Sequence, residues 1–199
     1  LGSLVDKSLV MSVDADGGEP FFRMLETVRE YAHERLVANG ELEAVRRRHA
    51  EYYVALTEEA EPELRRADQA TWLARLDRER DNCRVALDWC IEQGEADWGP
   101  RLGGALWGYW RLRGEAGEGR ARLERLLALD GAREPSAARA KVLIGAGVFA
   151  RQRSDFADAT ALLEAAVVDA RRVGNHRLAA EALTWLVLVA CNQSDYARA

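Results

Sequence analysis

Apolar residues recur every three or four positions through almost the whole chain, and that spacing predicts one helix after another. Met24, Leu25, Val28, Tyr31, Ala32 and Leu36 mark the first long face, which Gly40 stops where a positive φ is needed. Leu42, Val45, His49, Tyr52 or Tyr53, and Leu56 mark the second, ended by Pro62. From Asp68 a third stretch turns Trp72, Leu73, Leu76, Cys83, Leu87, Cys90 and Ile91 inward, with Asp81-Asn82 placed to cap a fresh helix and Gly94 closing it. Leu102, Leu106, Trp107 and Trp110 then precede Gly114, and Leu123, Leu126 and Leu127 follow as far as Leu129. Gly131 and Pro135 read as a linker, and beyond it Asp155 caps a helix that Gly174-Asn175 terminates. Only the start departs from this rhythm: Leu4 to Met11 and Phe21 to Met24 are rich in strand formers and are separated by Asp14-Ala15-Asp16-Gly17-Gly18, which is hairpin punctuation. The expected fold is mainly α, a short β-hairpin followed by a superhelix of antiparallel helix pairs.

The later helices repeat. Ser154-Asp155-Phe156-Ala157-Asp158-Ala159 returns forty positions on as Ser194-Asp195-Tyr196-Ala197-Arg198-Ala199, and Ala140, Leu143 and Ala150 align with Ala180, Leu183 and Ala190 at the same offset. A degenerate unit lies forty residues earlier, with Arg111, Arg113 and Leu123 under Arg151, Arg153 and Leu163, while Phe156 and Ala159 give way to Ala116 and Gly119. A fixed period of this size marks stacked helical hairpins, none of which buries its apolar face alone. Such arrays are binding surfaces more often than catalysts.

Composition narrows the function classes. The 199 residues carry a formal net charge of −5, which argues against nonspecific nucleic-acid binding, because phosphate neutralisation needs clustered excess Lys and Arg. Arg46-Arg47-Arg48 is balanced by Glu41, Glu43 and Glu51, and the hairpin loop holds Asp14, Asp16 and Glu19. Cys83, Cys90 and Cys191 form no CxxC and read as free thiols in a reducing cytoplasm. No apolar run is long enough to span a membrane. His33, His49 and His176 lie far apart without metal-ligand or nucleophile spacing, and no phosphate-binding loop is present, so no catalytic residue, metal or cofactor is expected in these residues. Starting at Leu1 and stopping at Ala199 within a helical pattern, the chain reads as a fragment. The face carrying Leu183, Trp185, Leu186, Val187, Leu188 and Val189 is expected to be open and to support weak self-association.

Two family resemblances follow from these residues. Leu143, Ala146 and Gly147, then Phe156, Ala159, Leu163 and Ala166, resemble the two helices of a tetratricopeptide repeat, with a period of forty instead of about thirty-four and Arg171 where the closing Pro would stand. LVDKSLV from Leu4, FRMLETVREYAHERL from Phe22, RRRHAEYY from Arg46 and WLARLDRERDNCRVALDW from Trp72 together resemble bacterial regulators of the STAND class, in which an NB-ARC-like ATPase precedes a winged helix and a helical repeat sensor. The resemblance implies three parts: 1–38, the end of a winged helix; 39–94, a helical connector; and 95–199, the start of the array. It implies an array that binds a protein, peptide or small-molecule effector and signals through the winged helix to an upstream ATPase, with ATP or ADP bound in the longer protein. Met24-Leu25-Glu26 matches the position where related proteins carry Met-His-Asp. Leu25 there cannot donate to a phosphate, and Met24 and Leu25 read equally as first core residues of a helix. In that class the winged helix is a regulatory hinge, so direct nucleic-acid contact is not expected of these residues; a DNA-binding winged helix and a plain assembly scaffold are the alternatives.

The aromatics suggest where an effector would bind. Trp98, Trp107, Tyr109 and Trp110 cluster beside Arg101, Arg111 and Arg113. On a helix Tyr109 points away from the face of Trp107 and Trp110, so Tyr109 with Arg113, flanked by Trp110 and Arg111, is the candidate groove for a peptide or small anion. Glu59 to Asp68, around Pro62, is the candidate hinge.

Overall fold

A computed structural model describes residues 2–13 and 21–193. The acidic loop residues Asp14, Asp16 and Glu19 and the second copy of the repeat motif, Ser194 to Ala199, lie outside the described residues. The protein is mainly helical with one small antiparallel hairpin. It divides into two compact units, residues 1–48 and 49–199, with the boundary inside a helix.

In the first unit α1 (Gly2–Asp6) leads into β1 (Val10–Val13) and β2 (Phe21–Met24), and α2 (Glu26–Ala38) follows. The strands pair with Val10 opposite Met24 and Met11 opposite Arg23. Ser8, at φ 55°, reverses the chain out of α1: its N–H donates to the Val5 carbonyl at 2.8 Å and the Leu9 N–H to the Leu4 carbonyl at 3.0 Å, the paired bonds of a Schellman ending. Gly40 ends α2 in the same way at φ 70°, as expected. Val10 is buried, but α2 buries none of its side chains, and Met24 and Leu25 are 37% and 45% exposed. The periodicity therefore locates the helix correctly, yet within this chain its apolar face is not a core, and the reading of Met24 and Leu25 as core residues does not hold.

α3 (Leu42–Glu63) carries the chain from one unit into the next. Pro62 sits in its last turn, where the lost N–H costs one bond only. The second unit then stacks α4 (Gln69–Arg78), α5 (Arg80–Glu92), α6 (Trp98–Arg113), α7 (Ala116–Leu127), α8 (Ala137–Gln152), α9 (Phe156–Arg172) and α10 (His176–Asn192). The break between α4 and α5 falls at Glu79, two residues before the expected Asp81-Asn82 cap. Neither of those residues caps; the Glu79 carboxylate is instead engaged by Tyr53 Oη at 2.6 Å and Asn82 Nδ2 at 2.9 Å. Tyr53 is the inward member of its pair, and Tyr52 is exposed.

α6–α7 and α8–α9 are helical hairpins, and α10 packs on α9 and α8; α8 packs on α6, α7, α9 and α10. That position explains its composition, since a helix surrounded by neighbours must be apolar on every side, and Val142 to Ala150 are all buried. Side-chain caps start the later helices: Ser136 Oγ accepts from the Arg139 N–H at 3.0 Å, Asp155 Oδ1 from Asp158 N–H at 3.3 Å, and Asn175 Oδ1 from Leu178 N–H at 3.1 Å. Close approach of α6 and α8 requires Gly145, where an added Cβ would lie 2.6 Å from Trp107 Cβ. Leu183, Val187 and Leu188 of α10 are about two-fifths exposed.

Candidate functional site

The first unit offers a helix, a tight turn and a hairpin with two exposed cations, Lys7 just after α1 and Arg23 on β2. Met24 ends β2, Leu25 precedes the first residue of α2, and Glu26 pairs with Arg29 one turn on. These three residues, matched by resemblance to a nucleotide-sensing position, therefore present two exposed apolar side chains and a carboxylate already engaged by a neighbouring cation.

In the second unit the first helices of the hairpins form one face, and the end of α3 lies on it. Three charges at spacings of three and four, Glu58 and Glu61 on α3 and Arg65 in the turn just past its end, face the array. Each reaches a different array helix. Arg101 of α6 grips Glu58 with two bonds of 2.8 Å, Lys141 of α8 pairs with Glu61, and Arg65 pairs with Glu181 of α10. Positions 101, 141 and 181 are forty residues apart, so α3 contacts the same site of three successive units. The bonds from Arg101 hold the Glu58 carboxyl below its ordinary range, against the opposing effect of burial. Leu64 is buried beside Gly108, and the Arg65 guanidinium lies 5.7 Å from the Trp107 ring. Two cavities include strap residues in their walls, one of about 550 Å³ lined by Glu58, Arg101, Ser136, Arg139 and Lys141 among others, and one of about 250 Å³ lined by Glu61, Arg65, Lys141, Arg177 and Glu181 among others.

The four residues expected to form an effector groove do not gather in one place. Tyr109 is 2% exposed and its hydroxyl donates to Asp77 Oδ1 at 2.9 Å; burial, reinforced by this bond, pushes the phenol above its usual range. Arg113 binds both oxygens of the same Asp77, so Tyr109 and Arg113 fasten α6 to α4. Trp110 is buried, and an added Cβ at Gly119 would meet its ring. Arg111 points elsewhere and is exposed, its guanidinium 6.0 Å from the ring of Trp185 on α10. Arg151 of α8 stands 5.5 Å from the same ring, and Trp107 meets it edge-on at 6.2 Å. Sequence reasoning placed Trp185 on an open apolar face and did not assign Arg151 a role. The forty-residue offset between Arg111 and Arg151 was the available signal.

Other titratable groups are structural. Burial pushes the Cys83 and Cys90 thiols up to about 12, whereas Cys191 is exposed. Among the described residues no three His, Cys, Asp or Glu side chains converge as a metal site, and no helix is long and apolar enough to cross a membrane.

Comparison with known proteins adds two findings. Residues 1–37, which hold α1, the hairpin and nearly all of α2, match the winged helix-turn-helix domain family. Over 116 residues, 58% of this chain, it is 39% identical to proteins of Mycobacterium bovis and of two strains of Mycobacterium tuberculosis, each described as "Putative HTH-type transcriptional regulator". The matched stretch spans 13% of those relatives' length. No solved structure matches. These matches correct one expectation. Net charge and an acidic hairpin argued against direct nucleic-acid contact; a winged helix-turn-helix match and relatives described as helix-turn-helix regulators point to DNA binding instead. Net charge misled because it says nothing of where single cations stand: residues 1–37 themselves hold seven Asp and Glu against four Lys and Arg, yet phosphate contact needs only a few well-placed cations.

Proposed function

We propose that this chain is part of a DNA-binding transcription regulator, in which residues 1–37 bring the hairpin of a winged helix against the duplex. The observation that carries the reading is the winged helix-turn-helix match over a segment whose elements run helix, strand, strand, helix in the described residues. Lys7 and Arg23 are the side chains assigned to phosphate, because both are exposed and stand beside the turn and on the hairpin. The reading assigns no reaction to these residues.

A finer layer rests on the resemblance to STAND regulators. The helical array acts as the effector-sensing part, and occupancy of its first-helix face biases the winged helix, with any nucleotide-driven step carried by an ATPase elsewhere in the longer protein. The strap of α3 supports this, since it ties the segment that follows the winged helix to three successive array helices. For an effector to act it must favour one arrangement of strap and array over the other.

Fluorescence anisotropy of labelled duplexes across a salt series tests the DNA reading. Each phosphate contact contributes roughly 0.9 to the slope of log affinity against log salt. Lys7→Ala and Arg23→Ala are expected to weaken binding to all sequences alike and to flatten that slope by about one unit each. A chain with no salt-dependent affinity, or variants with an unchanged slope, would refute it.

A further inference from the structure

We infer that Arg111, Arg151 and Trp185 form a receptor for a small ligand that carries an oxyanion and a planar ring. The inference deepens the effector-sensing part of the reading above and rests on it for its biological meaning, though not for its chemistry.

The two arginines occupy the same place in successive units, on α6 and α8, and both guanidiniums lie within about 6 Å of the Trp185 ring. Their electrostatic situation differs from that of the cations around them. Arg101, Arg113, Arg139 and Lys141, on the same two helices, pair with Glu58, Asp77, Asp169 and Glu61. Neither Arg111 nor Arg151 has a carboxylate within 4.0 Å among the described residues. Two guanidiniums held at one indole ring, without a carboxylate partner among the described residues, concentrate positive charge at that point.

Arg151 adds an independent observation. Its Nε is buried without a hydrogen-bond partner, and its Nη1 reaches only the neutral Asn192 Oδ1 at 3.1 Å. A guanidinium that has lost part of its hydration and gained no anion among the described residues is costly where it stands, and an arriving oxyanion removes that cost. Arg111 is exposed and lies at the same indole ring, so the inferred receptor offers two guanidinium forks to an oxyanion, the group that carboxylates and phosphates supply in bidentate fashion.

Trp185 supplies the second recognition element and is preorganised for it. Trp107 packs against it edge-on at an interplanar angle of 79°, and Trp107 is itself buried and backed by Arg65 of the strap. Leu188, one turn along α10 and 40% exposed, extends an apolar shelf beside the ring. Cations, a fixed indole and an apolar edge together select an aromatic acid or a phosphorylated ring compound. A duplex is disfavoured, because two cations at one point do not match a row of phosphates.

The test uses the whole 199-residue chain labelled with ¹⁵N and follows the arginine Nε–H signals during separate titrations with inorganic phosphate and with benzoate, benzamide being the neutral control. Saturable shifts confined to Arg111 and Arg151, absent with benzamide, are expected from at least one oxyanion. Tighter binding of phosphate points to a phosphorylated ligand, and tighter binding of benzoate to an aromatic acid. Arg111→Gln is expected to weaken the response of Arg151 by about tenfold, and Arg111→Lys to recover part of it. Linear shifts, equal shifts at the carboxylate-paired Arg101 and Arg122, or an unchanged midpoint in Arg111→Gln would overturn the proposal. Because no DNA is present, a silent titration leaves the DNA-binding reading standing. Saturable binding that leaves DNA affinity unchanged keeps the receptor and removes the sensing role.

Discussion

Two glycines in neighbouring helices give opposite answers to the same substitution, and the difference measures how tightly the hairpins are stacked. Gly117 in α7 is exposed and an added methyl meets nothing within 4 Å, so Gly117→Ala gains only the helix preference for Ala, about 0.5 to 1 kcal/mol. Gly145 in α8 gains the same preference, but its new Cβ would lie 2.6 Å from Trp107 Cβ, 2.8 Å from Trp107 Cγ and 2.9 Å from Leu123 Cδ1. The closest of these atoms, Trp107 Cβ, is fixed to the backbone of α6, so no rotamer change moves it away. The helices must separate, and overpacking of this kind costs about 1 to 3 kcal/mol. The net for Gly145→Ala is therefore a loss of up to about 2 kcal/mol, and the two variants should differ by about 1 to 3 kcal/mol. Urea unfolding followed by far-ultraviolet circular dichroism reads both, with the midpoints compared at constant m. A shift of 1 kcal/mol corresponds to about 2 to 4 °C in melting temperature for a chain of this size. If Gly145→Ala matched Gly117→Ala, the close α6–α8 approach would be refuted.

Other measurements test separate links. Ser154 holds φ 63° at the end of α8, where a side chain is strained, so Ser154→Gly should stabilise the protein by about 0.5 to 1 kcal/mol in thermal unfolding. A chromogenic disulfide reagent should titrate one thiol, Cys191, in the native chain and all three in urea; rapid reaction of a second native thiol would contradict the burial of Cys83 and Cys90. His49 is harder to protonate folded than unfolded, chiefly through burial, which outweighs the raising effects of Asn82 and Glu79. Stability should thus be full above the unfolded-state value of about 6.5 and fall as pH drops through it, and His49→Gln should flatten that dependence.

Much of the architecture is visible in the sequence because local physics dictates it. Gly40, Gly94, Gly114 and Gly174 all end helices at positive φ, and the forty-residue offset locates equivalent surfaces along the array. What escaped is what depends on distant partners. Glu79 breaks the α4–α5 stretch while its side chain answers Tyr53, twenty-six residues away. Tyr109 and Arg113 look like a free groove until Asp77 of another helix claims both. The apolar face of α2 reads as core by periodicity, which reports amphipathicity and says nothing of what covers the face. The pointer to DNA binding escaped because net charge does not report where single cations stand, and residues 1–37 are acidic by composition, with seven Asp and Glu against four Lys and Arg.

The strap of α3 makes the array's curvature legible at a single helix. Glu58 and Glu61 on α3 and Arg65 just past its end lie within a span of about 10 Å at helical rise, whereas packed helices stand about 8 to 10 Å apart. Long side chains span the remainder, so the three pairs fit one bend of the superhelix best. Flattening the array would draw the outer pairs, Arg101–Glu58 and Arg65–Glu181, apart before the central one, and tightening it would crowd them. The strap thus works as a strain gauge: a change of shape spread thinly over several helices is collected as a displacement along one short segment.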